Sequence, residues 1–128
     1  MNENRIFENE NLFIEIEESE IPWLKVFTQV PYKEFSHCPE SLKLELLEVI
    51  DIIENTMISY YQPEKINIAS LGNYMPHVHF HVMARFKEDS YFPESMWGKK
   101  QREASLDLPS LEGFLIRLKG KMFIYTTK

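Results

Sequence analysis

Residues 77–86, HVHFHVMARF, set histidines at 77, 79 and 81 in strict alternation with Val78, Phe80, Val82 and Ala84. A β-strand repeats its side-chain direction every second residue, so this segment is predicted to be a strand. All three imidazoles then leave one face, and the apolar residues leave the other for a core. Three buried rings would each need a hydrogen-bond partner, which makes such a row costly as mere structure. The alternation therefore points to a site.

Two chemistries use clustered imidazoles. Metal ligation draws on histidines at i and i+2, but a zinc site takes further ligands from elsewhere. Cys38, His37 or an acidic side chain would have to supply them, and the spacing asks for none of these. Nucleophilic catalysis at phosphorus needs instead a neutral ring nitrogen that attacks, with neighbouring donors on the phosphate oxygens and the leaving group.

The surrounding pattern is mixed. Residues 11–17 alternate Leu12, Ile14 and Ile16 with polar neighbours, and 23–30 run between Pro22 and Pro31; both are predicted strands, as is 64–70. Between the first two lies an acidic connection, Glu17 to Glu20. Residues 39–61 carry Leu42, Leu46, Val49, Ile50, Ile53, Met57 and Tyr60 at helical spacing, with Pro39 suited to the first helical position and Pro63 beyond the end. A turn-rich link with Gly72, Asn73 and Pro76 precedes the histidines. Residues 87–110 read as irregular, and 110–119 as a helix that Gly113 weakens. The expected class is α+β, an antiparallel sheet with one long helix and a C-terminal helix.

A chain of 128 residues with 44% hydrophobic and 27% charged residues fits one globular domain. Residues 1–90 hold seven basic and sixteen acidic residues, residues 91–128 seven and four, within a net charge of −6. An acidic whole argues against a polynucleotide partner, whose affinity comes mostly from neutralised phosphates. The basic end (Lys99, Lys100, Arg102, Arg117, Lys119, Lys121) reads as a solvated surface or as attraction for a small anion. Residues 1–10 are polar and lack the apolar stretch of a secretory signal, no run approaches the ~20 apolar residues of a membrane span, and the single cysteine forms no internal disulfide. A cytoplasmic protein without membrane association is expected.

The stretch HVHFHVM, residues 77–83, resembles the His-φ-His-φ-His-φ-φ signature (φ apolar) of the histidine-triad (HIT) superfamily, in its small bacterial form. The order of a strand, a Gly/Asn-containing turn, the histidine strand and then Trp97-Gly98 is similar as well, over roughly residues 12–98. The resemblance implies about five antiparallel strands with a long helix, and one domain over 1–128 with 99–128 as a C-terminal extension. It implies a homodimer, in keeping with a long helix and a sheet edge that need cover. It also implies a nucleotide hydrolase or nucleotidyl transferase working through a nucleotidyl-histidine, of phosphoramidase or dinucleoside polyphosphate hydrolase type. The ligand would be a purine nucleotide or nucleotide derivative.

By position, His79 would be the nucleophile on the α-phosphorus. His81 would contact the phosphate or bridging oxygen and assist the leaving group, and His77 would orient the others through the backbone. Asn67, on the preceding strand, would hold His79 or the leaving-group oxygen. Asn73 would face the phosphate or serve only the turn, and Glu18 would bind ribose or stay a solvated charge. Trp97 would rim the site or simply pack. Relatives carry a histidine where Glu34 stands here, and those with structural zinc have Cys and His ligands this chain lacks, so neither metal nor cofactor is expected. A nucleotide-binding scaffold without turnover and a metal-dependent enzyme remain the alternative readings, and the leaving group is open.

Overall fold

The computed structural model describes residues 3–127; the ends of the expected 1–128 domain, residues 1, 2 and 128, lie outside them. Five antiparallel strands form one sheet: β1 (Arg5–Glu8), β2 (Leu12–Ile16), β3 (Trp23–Thr28), β4 (Lys65–Ala69) and β5 (His79–Arg85), in the order β1-β2-β3-β5-β4. A 3-10 turn at Phe35–His37 leads into α1 (Glu40–Tyr61), and α2 (Leu111–Thr126) ends the described chain. The first three strands form a meander. The chain then passes through α1 to the far edge, and β5 returns between β3 and β4.

Period two decides the layering. Leu12 and Ile14 of β2, Leu24 and Val26 of β3, Ile66 of β4, and Val82 and Ala84 of β5 are buried in one cluster with Leu42, Leu46, Val49, Ile50, Ile53 and Met57 of α1. Phe13 and Phe27, on the other face, are buried outside that cluster. No helix of the described residues is long and apolar enough to cross a membrane.

Several boundaries differ from the periodicity. Residues 5–8, expected in a polar N-terminal stretch, form the edge strand β1, because Ile6 and Phe7 tuck partly against the core. Pro39 is the residue capping α1 rather than its first helical residue, with ψ of 151°. The last helix runs seven residues past 119, and Phe114, Leu118 and Met122 bury one side of it. Gly113 belongs there: a Cβ at that position would collide with the Tyr60 hydroxyl, which donates to the Ser110 carbonyl at 2.8 Å where the two helices meet. Ser110 caps α2 by accepting from the Gly113 amide at 3.1 Å.

The irregular segment after β5 is pinned rather than loose. The Asp89 carboxylate accepts from Arg85 Nε at 3.0 Å and Nη2 at 3.1 Å, and from the amides of Phe86, Tyr91 and Phe92. Both side chains are almost fully buried. Burial alone would raise the Asp89 carboxyl, but the Arg85 guanidinium and the three amides more than offset it and hold it below the usual range. Arg85 also donates to the Glu94 carbonyl, and Arg102 to the carbonyls of Asp89 and Phe92. The resulting arch brings Trp97 back over the sheet.

Breaking a buried, hydrogen-bonded ion pair from one side leaves an uncompensated charge and typically costs about 3–5 kcal/mol. Asp89→Ala should lower the urea-derived unfolding free energy by that order. A loss below about 1 kcal/mol would show the arch to be held by its backbone bonds alone.

Candidate active site

The ladders place the histidines at the middle of the sheet. On one side of β5, Phe27 faces His79, Lys25 faces His81 and Trp23 faces Met83. On the other side, Ala69 faces His81 and Asn67 faces Met83. The expected strand over 77–86 is shorter at its start: His77 precedes β5 because β3 ends at Thr28. Its ring still reaches β3, with Nε2 2.6 Å from the Thr28 carbonyl oxygen.

Each ring is oriented by one partner. A carbonyl only accepts, so His77 donates from Nε2 to Thr28 O, and His79 donates from Nδ1 to His77 O at 2.7 Å. The Trp23 indole only donates, and it does so to His81 Nδ1 at 2.9 Å. In a neutral ring these bonds place the His79 lone pair on Nε2 and the His81 proton on Nε2. Among buried side-chain nitrogen and oxygen atoms of the described residues, only Arg5 Nε lacks a partner. The two Nε2 atoms have no protein partner either, so they open to solvent.

Aromatic contacts hold the planes. His79 stacks on Phe27 at 4.8 Å and 17°, Phe27 on Phe13 at 5.0 Å and 9°, and the Arg5 guanidinium caps Phe13 at 3.7 Å. His81 stands edge-on to His79 at 5.0 Å and to Trp97 at 4.8 Å, and Trp97 in turn meets Trp23 at 5.4 Å. Only 8% of His81 is exposed. Burial, then His79 and Lys25, push its pKa down to about 4, against a smaller opposing effect of Glu17. Lys25 itself is paired with Glu17 at 2.8 Å.

The structure thus gathers His77, His79, His81 and Trp97, and leaves the other sequence candidates outside. Asn67 does not hold His79: its Oδ1 accepts from Arg85 Nη1 at 2.8 Å, which ties it to the arch. Asn73 is exposed in the connection before the histidines and joins none of their hydrogen bonds. Glu18 is exposed at a cleft of about 240 Å³ that shares Trp23 with the histidine site. A larger cleft, about 540 Å³, lies beside His77 and is lined by Glu34, Phe35, Leu47 and Phe80. No group of three or more His, Cys, Asp or Glu among the described residues is arranged to hold a metal ion.

Trp23 and Phe27 join the site without any local signal that marks them as functional. Their alternation with Lys25 on a predicted strand was visible, but which strand neighbours the histidines is a long-range fact.

Among solved structures, the chain is similar to a histidine triad protein from Bradyrhizobium japonicum, at 24% identity over 93% of this chain and 91% of that one, with a TM-score of 0.75. It is also similar to a histidine triad protein from Sinorhizobium meliloti 1021, at 25% identity over 91% and 87%, with a TM-score of 0.74. A hypothetical histidine triad nucleotide-binding protein from Sulfolobus tokodaii strain7 shares the fold at 13% identity over 91% and 78%, with a TM-score of 0.56. No curated protein matches. The HIT domain family matches residues 3–88, which take in the whole sheet and α1, and the chain belongs to that family.

Proposed function

We propose that this protein binds a nucleotide or nucleotide derivative, of the purine class, and cleaves it at the α-phosphorus through His79. The observation that carries this reading is the hydrogen bond from His79 Nδ1 to the His77 carbonyl, which leaves the Nε2 lone pair on the open side of the sheet. In the first step that lone pair forms a P–N bond, and the bond to the leaving group breaks with its electron pair on the departing atom. The nucleotidyl-imidazolium keeps its Nδ1 proton on the His77 carbonyl. A water then attacks phosphorus and gives up a proton to solvent, and the P–N pair returns to Nε2; another acceptor in place of water makes the reaction a transfer. His77 orients the nucleophile, His81 Nε2–H meets a phosphate oxygen, and Trp97 walls the site. The nucleotide-binding relative from Sulfolobus tokodaii supports the ligand class.

His79→Ala and His79→Asn should each cut turnover by roughly 10⁴-fold or more while nucleotide binding persists, because ground-state contacts do not need the lone pair. Denaturing the native enzyme in alkali, where a P–N bond to imidazole survives, should yield a nucleotide linked to His79, and a chelator should leave the rate unchanged. If the chelator abolishes activity and His79→Ala only weakens it, the nucleophile reading is wrong. A protein that binds nucleotide but never accumulates the adduct or turns over is the scaffold of the alternative reading.

We further assign a second copy of this chain to the β4 edge. That edge carries unpaired backbone groups, which a folded protein normally covers. Exposed Ile68, Leu71 and Leu47 lie along it and beside the larger cleft. Sedimentation at micromolar concentration should give a dimer, and Ile68→Lys a monomer; a native monomer would remove this assignment.

A further inference from the structure

The bond between Trp23 and His81 bears on which leaving groups the site can serve. An indole N–H can only donate. Protonated histidine donates from both nitrogens, so an imidazolium at 81 would set two N–H groups against each other across 2.9 Å. Trp97 closes over the same ring edge-on, and 8% exposure leaves little water to stabilise a charge there. We propose that Trp23 holds His81 as a neutral Nε2–H donor and thereby restricts the site to nucleotides whose leaving group departs as a weakly basic oxyanion, such as phosphate, polyphosphate or carboxylate, in preference to an amine. This rests on the reading of His79 as nucleophile.

The chemistry follows from where the proton can come from. When His79 attacks a phosphoric anhydride, the P–O bond breaks and its electron pair stays on an oxyanion that is stable at neutral pH. A hydrogen bond from neutral His81 is enough to steady it. When His79 attacks a phosphoramidate, the P–N bond must break with a proton arriving on nitrogen, or an amide anion would be expelled. Neutral His81 cannot deliver that proton, since giving up Nε2–H would leave an imidazolate. An imidazolium could, but the groups that face His81 oppose it. His79 on β5 and Lys25 on β3 both disfavour the charge, Ala69 opposite on β4 is neutral, Trp23 and Trp97 bring only indoles, and Glu17 from the β2–β3 connection favours it without prevailing. With the ring's pKa pushed down to about 4, the neutral form prevails at pH 7.

Trp23 is therefore a positioning residue, and Trp23→Phe tests it by keeping an aromatic side chain and removing the N–H donor. In the native protein, ¹⁵N NMR of His81 should show one tautomer, protonated at Nε2, down to about pH 4. In Trp23→Phe the Nδ1 lone pair loses its donor, so the ring should titrate higher than in the native protein, though burial, His79 and Lys25 still hold it below its ordinary value. At pH 6, the kcat/KM ratio for an adenosine phosphoramidate over a dinucleoside polyphosphate should rise at least tenfold in the variant. A native His81 that titrates above pH 6, or a ratio that does not move, overturns the proposal. If Trp23→Phe does not fold, the native tautomer still judges the role of Trp23: Nε2–H supports it, and Nδ1–H, which would face the indole N–H, overturns it. Failure to trap nucleotide on His79 with either substrate would overturn the nucleophile reading and the substrate restriction with it, whereas the NMR result judges the neutral donor independently.

Discussion

The insertion of β5 between β3 and β4 is the constraint on which the rest depends. An interior strand has backbone hydrogen bonds on both sides, so its register is fixed twice, by Phe27 opposite His79 and by Ala69 opposite His81. A one-residue slip would send the imidazoles into the core and Val82 to solvent. With the register fixed, Val82 and Ala84 pack under α1, and His79 and His81 have only the opposite face left to them. The site is thus the reverse side of the core, and each stabilises the placement of the other.

That face is not uniformly open. Toward the C-terminal end of β5 it is sealed by the arch that Arg85 and Asp89 hold, and Met83 is buried there. Toward the start of β5 it opens at His79. The boundary between closed and open falls at His81, flanked by two indoles. Burial of one histidine and accessibility of its neighbour two residues away give two chemically different imidazoles from the same residue type. One has a free lone pair, and the other has its lone pair committed to Trp23.

Local signals carried much of this. The alternation at 77–86 marked the histidine strand, the three-and-four spacing of Leu42 to Met57 marked α1, and Leu12, Ile14 and Ile16 marked β2. What escaped depends on distant partners. Arg5–Glu8 offers only Ile6 and Phe7 as apolar residues and becomes a strand because β2 is there to pair with. Asn67 was reasonably suspected on a strand beside the histidines, but its partner is an arginine eighteen residues on that reaches back to it. Gly113 argued against a helix by propensity, and only the crossing of Tyr60 explains why a glycine is needed. Trp23 lies in a predicted strand, and only the register with β5 brings its indole to His81.

The pile of Arg5, Phe13, Phe27 and His79 runs across four strands, from one edge of the sheet to its middle. Flat rings in near-parallel contact hinder each other's rotation, so the His79 imidazole cannot flip about its Cβ–Cγ bond unless Phe27 and Phe13 move with it. A flip would put Cδ2 where Nδ1 meets the His77 carbonyl and Cε1 where Nε2 had been, so a carbon would face an incoming electrophile. The aromatic pile therefore acts as a brake, keeping the same nitrogen presented through successive cycles, and its outermost element is a cation on the edge strand, far in sequence from the ring whose orientation it helps to preserve.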